Sequence, residues 1–170
     1  PIPEKLNSSV TSRPKVDREQ LQNMVSDMLV SFGLNEAMSN SLTKDSYVDL
    51  ANTSSIKSEF NVTMLNPLSS DLSVMRQSLL FNGLEAVRLN QNHGSDSVKL
   101  FEFGKIYQKF ESGFSENSQL TLFLSGRKTE ELWNGSAADV SFFTLKGMVE
   151  SLLNKIGGGR HKASVTKNDL

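Results

Sequence analysis

Few residues in this chain could carry chemistry of their own. His93 and His161 are its only imidazoles and it has no cysteine, so thiolate nucleophiles, disulfides and structural zinc are excluded. His93 precedes Gly94 where a helix is expected to stop, and a helix-end position beside the terminal carbonyl charge accounts for it without catalysis. His161 lies in Arg160-His161-Lys162, a solvated charge run. Ser125 sits in Phe-Leu-Ser-Gly-Arg, which lacks the first glycine of a nucleophile elbow, and no His–carboxylate spacing completes a triad. Gly157-Gly158-Gly159 follows a helical pattern, whereas a phosphate cradle follows a strand and opens a helix, so these glycines read as a helix stop. Three residues keep some interest. Arg76 follows Met75 after a strand and turn, where its guanidinium is expected to act as a structural anchor on carbonyls or a carboxylate. Glu102 is followed by Gly104 and Lys105 in a β-prone run. Trp133, in a polar loop, reads either as an interface anchor or as a ring packed under its own loop.

The elements that must position these residues follow from hydrophobic spacing. Asp17 with Gln20 three residues later makes a capping-box-like start. Leu21, Met24, Val25, Met28, Leu29 and Phe32 then recur at helical spacing up to Gly33. Glu36 to Thr43 is expected to return as a strand, 44 to 58 to be a connecting loop, and Phe60 to Leu65 to be a short strand ended by Asn66-Pro67. Ser78 can cap a helix over Leu79 to Asn92, with Leu80, Leu84 and Val87 on one face and Gly83 permitting a close neighbour. Val98 to Phe110 and Gln119 to Ser125 are β-prone and separated by Gly113 at a hairpin distance; Phe142 to Ile156 restores helical spacing up to Gly157. Hairpin-like links favour an α+β fold, an antiparallel sheet with helices covering one face.

Composition sets the bounds. The chain has 170 residues, 37% hydrophobic and 22% charged, which suits one soluble globular domain. Its 18 basic and 19 acidic residues give a net charge of -1, so no global positive field draws in nucleic acid. No apolar run approaches the roughly 20 residues of a membrane helix, and Pro1-Ile2-Pro3-Glu4-Lys5 shows no signal pattern, which together favour a cytoplasmic setting. Residues 1–16 hold three of the four prolines and read as an interdomain linker, 17–157 as the core domain and 158–170 as a truncated remainder or tail.

Three segments in order, NPLSSDLSVMRQSLLFNGLEAVRLNQN at 66–92, KLFEFGKIYQ at 99–108 and DVSFFTLKGMVESLL at 139–153, are similar to the β-subunit family of bacterial phenylalanine-tRNA ligases. The resemblance covers roughly residues 15 to 157. It implies a non-catalytic core domain shaped like a class II synthetase, packed on the catalytic α subunit in an (αβ)2 assembly. ATP, magnesium and tRNA are then implied for the holoenzyme, with no catalytic, cofactor-binding or metal residue in this segment. An adenylate site needs an Arg and a nearby Glu on a central strand, and here no Arg-x-Glu pair stands beside Glu102. Two departures stand out. Phe81-Asn82-Gly83-Leu84 replaces the family's frequent Pro-Gly-Leu-Leu, and GGGRHKASVTKNDL stands where further strands usually follow, so an unpaired sheet edge or a partly uncovered core is expected. By the same resemblance the first helix is placed at a subunit interface, through its polar side: Arg18, Gln22, Asn23, Ser26 and Val30. The competing readings are an independently active synthetase-like or acyl-transfer domain, and an RNA-binding module.

Overall fold

The computed structural model describes residues 17–51, 53, 55–67, 69–129 and 138–158. The expected linker, Trp133, His161 and the tail from residue 159 lie outside the described residues.

Helix α1 spans Arg18–Ser31. The Asp17 carboxylate accepts hydrogen bonds from the Glu19 and Gln20 N–H groups (2.9 and 3.3 Å), satisfying donors that the first turn leaves without partners. At the other end Gly33, with φ +83°, breaks the helix, and Leu34 is carried back into the core. Of the apolar stripe, Val25 and Leu29 are buried, while Leu21, Met28 and Phe32 pack around them; Met24 is half-buried at the edge.

The expected single strand after α1 is instead two two-residue strands, β1 (Asn35–Glu36) and β2 (Leu42–Thr43), which join different sheets. The break falls at Ser39 and Asn40, whose carbonyls both face the Arg76 guanidinium, and a backbone drawn toward a side chain cannot also extend a ladder. The segment expected to be loop contains a six-residue helix, α2 (Ser46–Ala51), with Val48 as its buried contact. Single-turn helical contacts follow at Ser58–Phe60 and Ser70–Leu72. Between them the expected Phe60–Leu65 strand shrinks to β3 (Val62–Thr63); β4 (Val74–Met75) comes next. Strands β2, β4 and β3 form a small antiparallel sheet with Met75 between Leu42 and Val62.

Helix α3 (Leu80–Asn92) begins as the Ser78 hydroxyl accepts from the Leu80 N–H (3.2 Å), and it ends before Gly94, φ +87°. A long hairpin follows, β5 (Ser97–Phe110) and β6 (Gly113–Thr129), joined by Glu111 and Ser112 and paired without interruption from Phe110↔Gly113 to Ser97↔Gly126. Strand β6 starts six residues before its apolar run at Gln119, because pairing with β5 carries the polar stretch along. Two-residue β7 (Ala138–Asp139) meets the end of β6, and α4 (Phe142–Ile156) closes the described chain. Ser141 and Thr144 form a reciprocal capping box at its start, and Gly157 with φ +87° ends it.

The main sheet runs β1-β5-β6-β7, antiparallel except that β1 pairs parallel with β5. Alternation places Phe101 and Phe103 of β5 with Leu120, Leu122 and Leu124 of β6 on one face, against α1 and Leu152 and Met148 of α4. The opposite face holds Leu100, Glu102 and Gly104 with Phe123 and Thr121, and α3 covers it. Helices therefore cover both faces, contrary to the one-sided expectation, since β5 carries large apolar groups at both parities. A second correction concerns α3. Leu79 and Gly83 are the buried positions, while Leu80 and Leu84 face outward; the glycine, not the leucine row, sets the contact face. A Cβ at Gly83 would overlap the Phe123 ring, so this helix can reach the sheet only where it has no side chain.

Candidate functional site

The polar centre of the molecule is assembled from three separate elements. β4 is followed directly by the dipeptide Arg76-Gln77, both buried; β5 contributes Glu102, 1% exposed; the turn between β1 and β2 contributes Ser39. The Arg76 backbone N–H donates to Ser41 C=O and its C=O accepts from Tyr107 N–H, both at 2.9 Å, which aims the side chain along the sheet. Its Nη1 then lies 2.8 Å from Glu102 Oε1 and 2.8 Å from Ser39 Oγ, with Asn40 C=O at 3.3 Å, and its Nε donates to Lys105 C=O at 3.0 Å. Ser39 Oγ lies 2.7 Å from Glu102 Oε2, and the Ser39 N–H reaches Oε1 at 3.2 Å. Opposite charges thus neutralise one another in a place almost without water, where an unpaired charge would be costly. No buried side-chain nitrogen or oxygen among the described residues lacks a partner.

This arrangement decides what the sheet face can do. Glu102 is the one carboxylate on the central strands that points into the fold, and both its oxygens already accept from its own chain. Gly104 leaves room for the arginine: a Cβ there would stand 2.5 Å from Arg76 Nη2 and 2.6 Å from Leu79 Cδ2. The face is therefore filled by Arg76, Leu79 and α3. Beyond it, Lys105 is exposed and paired with Glu116 at 2.6 Å, and that carboxylate raises the ammonium pKa. Lys99 Nζ donates to the Lys128 carbonyl at 3.0 Å. No cluster of three His, Cys, Asp or Glu suited to a metal occurs among the described residues.

Gln77 extends the same pin in the other direction, donating to Lys57 C=O (2.8 Å) and Asn61 Oδ1 and accepting from the Lys57 N–H (3.2 Å). Neither Gln77 nor Ser39 was among the candidates read from sequence. The only signal for Gln77 is its place beside Arg76, and Ser39 lies in a serine- and asparagine-rich stretch with no pattern to mark it.

The five interface candidates are not at this centre. Arg18, Gln22, Ser26 and Val30 step along one side of α1 at four-residue spacing with Asn23 beside them; all but half-buried Ser26 are exposed, Val30 at 57%. Arg18 and Gln22 also stand at the mouth of an open apolar cleft of about 500 Å³, lined by Leu21 and Val25 of α1, Leu120 and Leu122 of β6, and Leu153 and Ile156 of α4. His93 is exposed and caps α3, its N–H donating to Leu89 C=O (3.1 Å). Ser125 Oγ accepts from Gln91 Nε2 (2.8 Å), tying α3 to β6.

The same architecture recurs in solved structures. A pyrrolysyl-tRNA synthetase from Desulfitobacterium hafniense superposes with a TM-score of 0.61 at 18% identity, over 95% of this chain and 52% of that one. An ATP phosphoribosyltransferase regulatory subunit/histidyl-tRNA synthetase from Bacillus halodurans gives 0.60 at 13% identity, over 92% and 40%. The fold is that of a class II aminoacyl-tRNA synthetase core, as the resemblance implied. The family model of the phenylalanyl-tRNA synthetase β chain CLM domain matches residues 2–169, and the chain belongs to that family. Among curated relatives, the phenylalanine–tRNA ligase β subunits of Bacteroides thetaiotaomicron and Bacteroides fragilis are 39% and 37% identical over 96% of this chain, and that of Porphyromonas gingivalis is 33% identical over 97%. The chain spans about a fifth of the length of these relatives, 21% in each case.

Proposed function

We propose that this chain is a structural and assembly domain of a phenylalanine–tRNA ligase β subunit, docking on the catalytic α subunit in an (αβ)2 holoenzyme and carrying no catalytic group itself. Attachment of phenylalanine to its tRNA is then the work of the complex in the cytoplasm, with ATP and magnesium held by the α subunit. The observation that carries this reading is the Arg76–Glu102 pair at 2.8 Å. The one inward carboxylate of the central strands is neutralised by an arginine of its own chain, on a face already filled by α3. The residues present do not suit a magnesium–nucleotide complex, which needs cations free to meet phosphate oxygens. Near-neutral net charge argues equally against an autonomous RNA-binding module. No helix among the described residues is long and apolar enough to cross a membrane.

The docking surface we assign is the exposed side of α1 bearing Arg18, Gln22, Asn23, Ser26 and Val30. Asn23→Arg and Val30→Arg place new charge on solvent-exposed positions, so each should change folding stability by less than about 0.5 kcal/mol. Desolvating that charge in a complex is expected to reduce recovery of the α subunit at least tenfold when the full-length β subunit is co-purified with it. Undiminished recovery with both variants would move the interface off this helix.

A further inference from the structure

Asparagine followed by glycine is a chemically labile pair, because glycine has no side chain to hinder its backbone nitrogen from attacking the asparagine side-chain carbon. The sequence holds two such pairs, Asn82-Gly83 and Asn134-Gly135; the second lies outside the described residues. The first falls in the opening turn of α3, and both of its members are fixed by structure. Gly83 is required by packing, since a Cβ there would overlap the Phe123 ring. Asn82 is required by its bonds: Nδ2 donates to Asn40 C=O (2.8 Å) and Oδ1 accepts from Thr43 Oγ1 (3.2 Å), tying α3 to the turn between β1 and β2. Two separate structural needs thus place a labile pair at a helix start.

In the closed fold the pair is protected in three ways. Gly83 N–H donates to Leu79 C=O at 3.1 Å, the first main-chain bond of the helix, so its nitrogen is not free to lose its proton. Both polar atoms of the Asn82 amide are engaged by the turn, which holds the side chain away from its own backbone. The helical backbone at Asn82 keeps the Gly83 nitrogen out of line with Cγ. All three restraints belong to the first turn, which is supported besides by the Ser78 hydroxyl accepting from the Leu80 N–H (3.2 Å). Helix ends open more readily than helix bodies, so the protection lasts only while that turn stays closed.

We propose that Asn82 is a site of spontaneous deamidation gated by opening of the first turn of α3, and that the product cannot regain the native contact with the turn between β1 and β2. With the turn open, the Gly83 nitrogen gives its proton to solvent and attacks Asn82 Cγ. The N–Cγ bond forms, the Cγ–Nδ2 bond breaks, and the amide nitrogen leaves as ammonia after taking a proton back from solvent. Water then opens the five-membered imide at either carbonyl, leaving an aspartyl or an isoaspartyl residue at position 82; nothing is oxidised or reduced. A carboxylate there cannot donate to Asn40 C=O and sets negative oxygen against it, three residues before Glu85. The isoaspartyl form also inserts a methylene into the backbone ahead of Gly83, which displaces the glycine from its place against Phe123. Molecules are therefore retired in proportion to the time their α3 start spends open. The inference does not depend on the assembly role proposed above.

Full-length β subunit held at mildly alkaline pH, sampled over time and digested for mass spectrometry that separates aspartyl from isoaspartyl products, tests it against the same protein unfolded in urea. Conversion at Asn82 should be at least about a hundredfold slower in the native protein than in urea. Ser78→Ala, which weakens the start of α3, and Thr43→Val, which removes the donor to Asn82 Oδ1, should each speed native conversion about fivefold and leave the rate in urea unchanged. Either variant suffices if the other fails to fold. Asn82→Asp, which stands for the aspartyl product, should raise the unfolding constant about tenfold in a urea titration. Equal rates in native protein and urea, native rates that neither variant moves, an intact Asn82 in urea, or an Asn82→Asp protein as stable as the parent would each overturn the proposal.

Discussion

Arg76→Met is expected to lower the unfolding free energy by about 3–5 kcal/mol, because it strands the Glu102 carboxylate in a site with 1% exposure. It also frees the carbonyls of Lys105 and Asn40 from their side-chain donor, which loosens the turn between β1 and β2 and the attachment of the segment after β4 to β5. Denaturant midpoints should fall accordingly, and Tm should drop on the order of 10 °C for a domain of this size. The informative control is Arg76→Met with Glu102→Leu. Removing both charges leaves two apolar side chains where a salt bridge stood, and buried pairs replaced in this way are often near neutral. Recovery of most of the loss in the double variant identifies the stranded carboxylate as the cause. A double variant as unstable as Arg76→Met alone would place the cost in the carbonyls that the arginine gathers.

Gly83→Ala is the second large effect. Alanine favours the helix over glycine by about 1 kcal/mol, yet here the added methyl would overlap the buried Phe123 ring, and forcing a ring out of a packed face costs typically 1–3 kcal/mol and occasionally more. A net destabilisation of up to about 2 kcal/mol follows, measured by urea unfolding. Phe123→Leu should be destabilising alone but should erase most of the Gly83→Ala penalty, because the smaller side chain vacates the space the methyl needs. Additive losses would show that the helix moves as a body and that the ring contact is not what fixes its position.

The parts of this fold that could be read from the amino acids are those with enough residues to show a period. Helices α1, α3 and α4 and the paired runs of β5 and β6 each carry a long pattern. Their ends carry residues with a mechanism of their own: Asp17, Gly33, Ser141 and Gly157. Between Leu34 and Leu79 the elements are two to six residues long, too short for a helical or strand pattern to repeat recognisably, and they are held by bonds from far along the chain. Arg76 reaches back 36 and 37 positions to Asn40 and Ser39, and 26 and 29 positions forward to Glu102 and Lys105. No local pattern encodes such partners. A carboxylate on a β-prone strand could be seen at Glu102, but its neutralisation by Arg76 belongs to tertiary structure, and so do Gln77 and Ser39. The first half of β6 was hidden for a related reason. Ser115 to Ser118 is polar and lacks β-propensity, and only the register inherited from β5 makes it strand.

The account rests on a synthetase-shaped sheet whose inward charges are spent on each other. Phenylalanine-dependent exchange of pyrophosphate into ATP, assayed with the full-length β subunit purified free of α subunit, tests that most directly. No exchange above the enzyme-free background is predicted, with activity appearing once the α subunit is restored. Sustained exchange by the β subunit alone, abolished by Arg76→Met at a temperature where that variant remains folded, would contradict it.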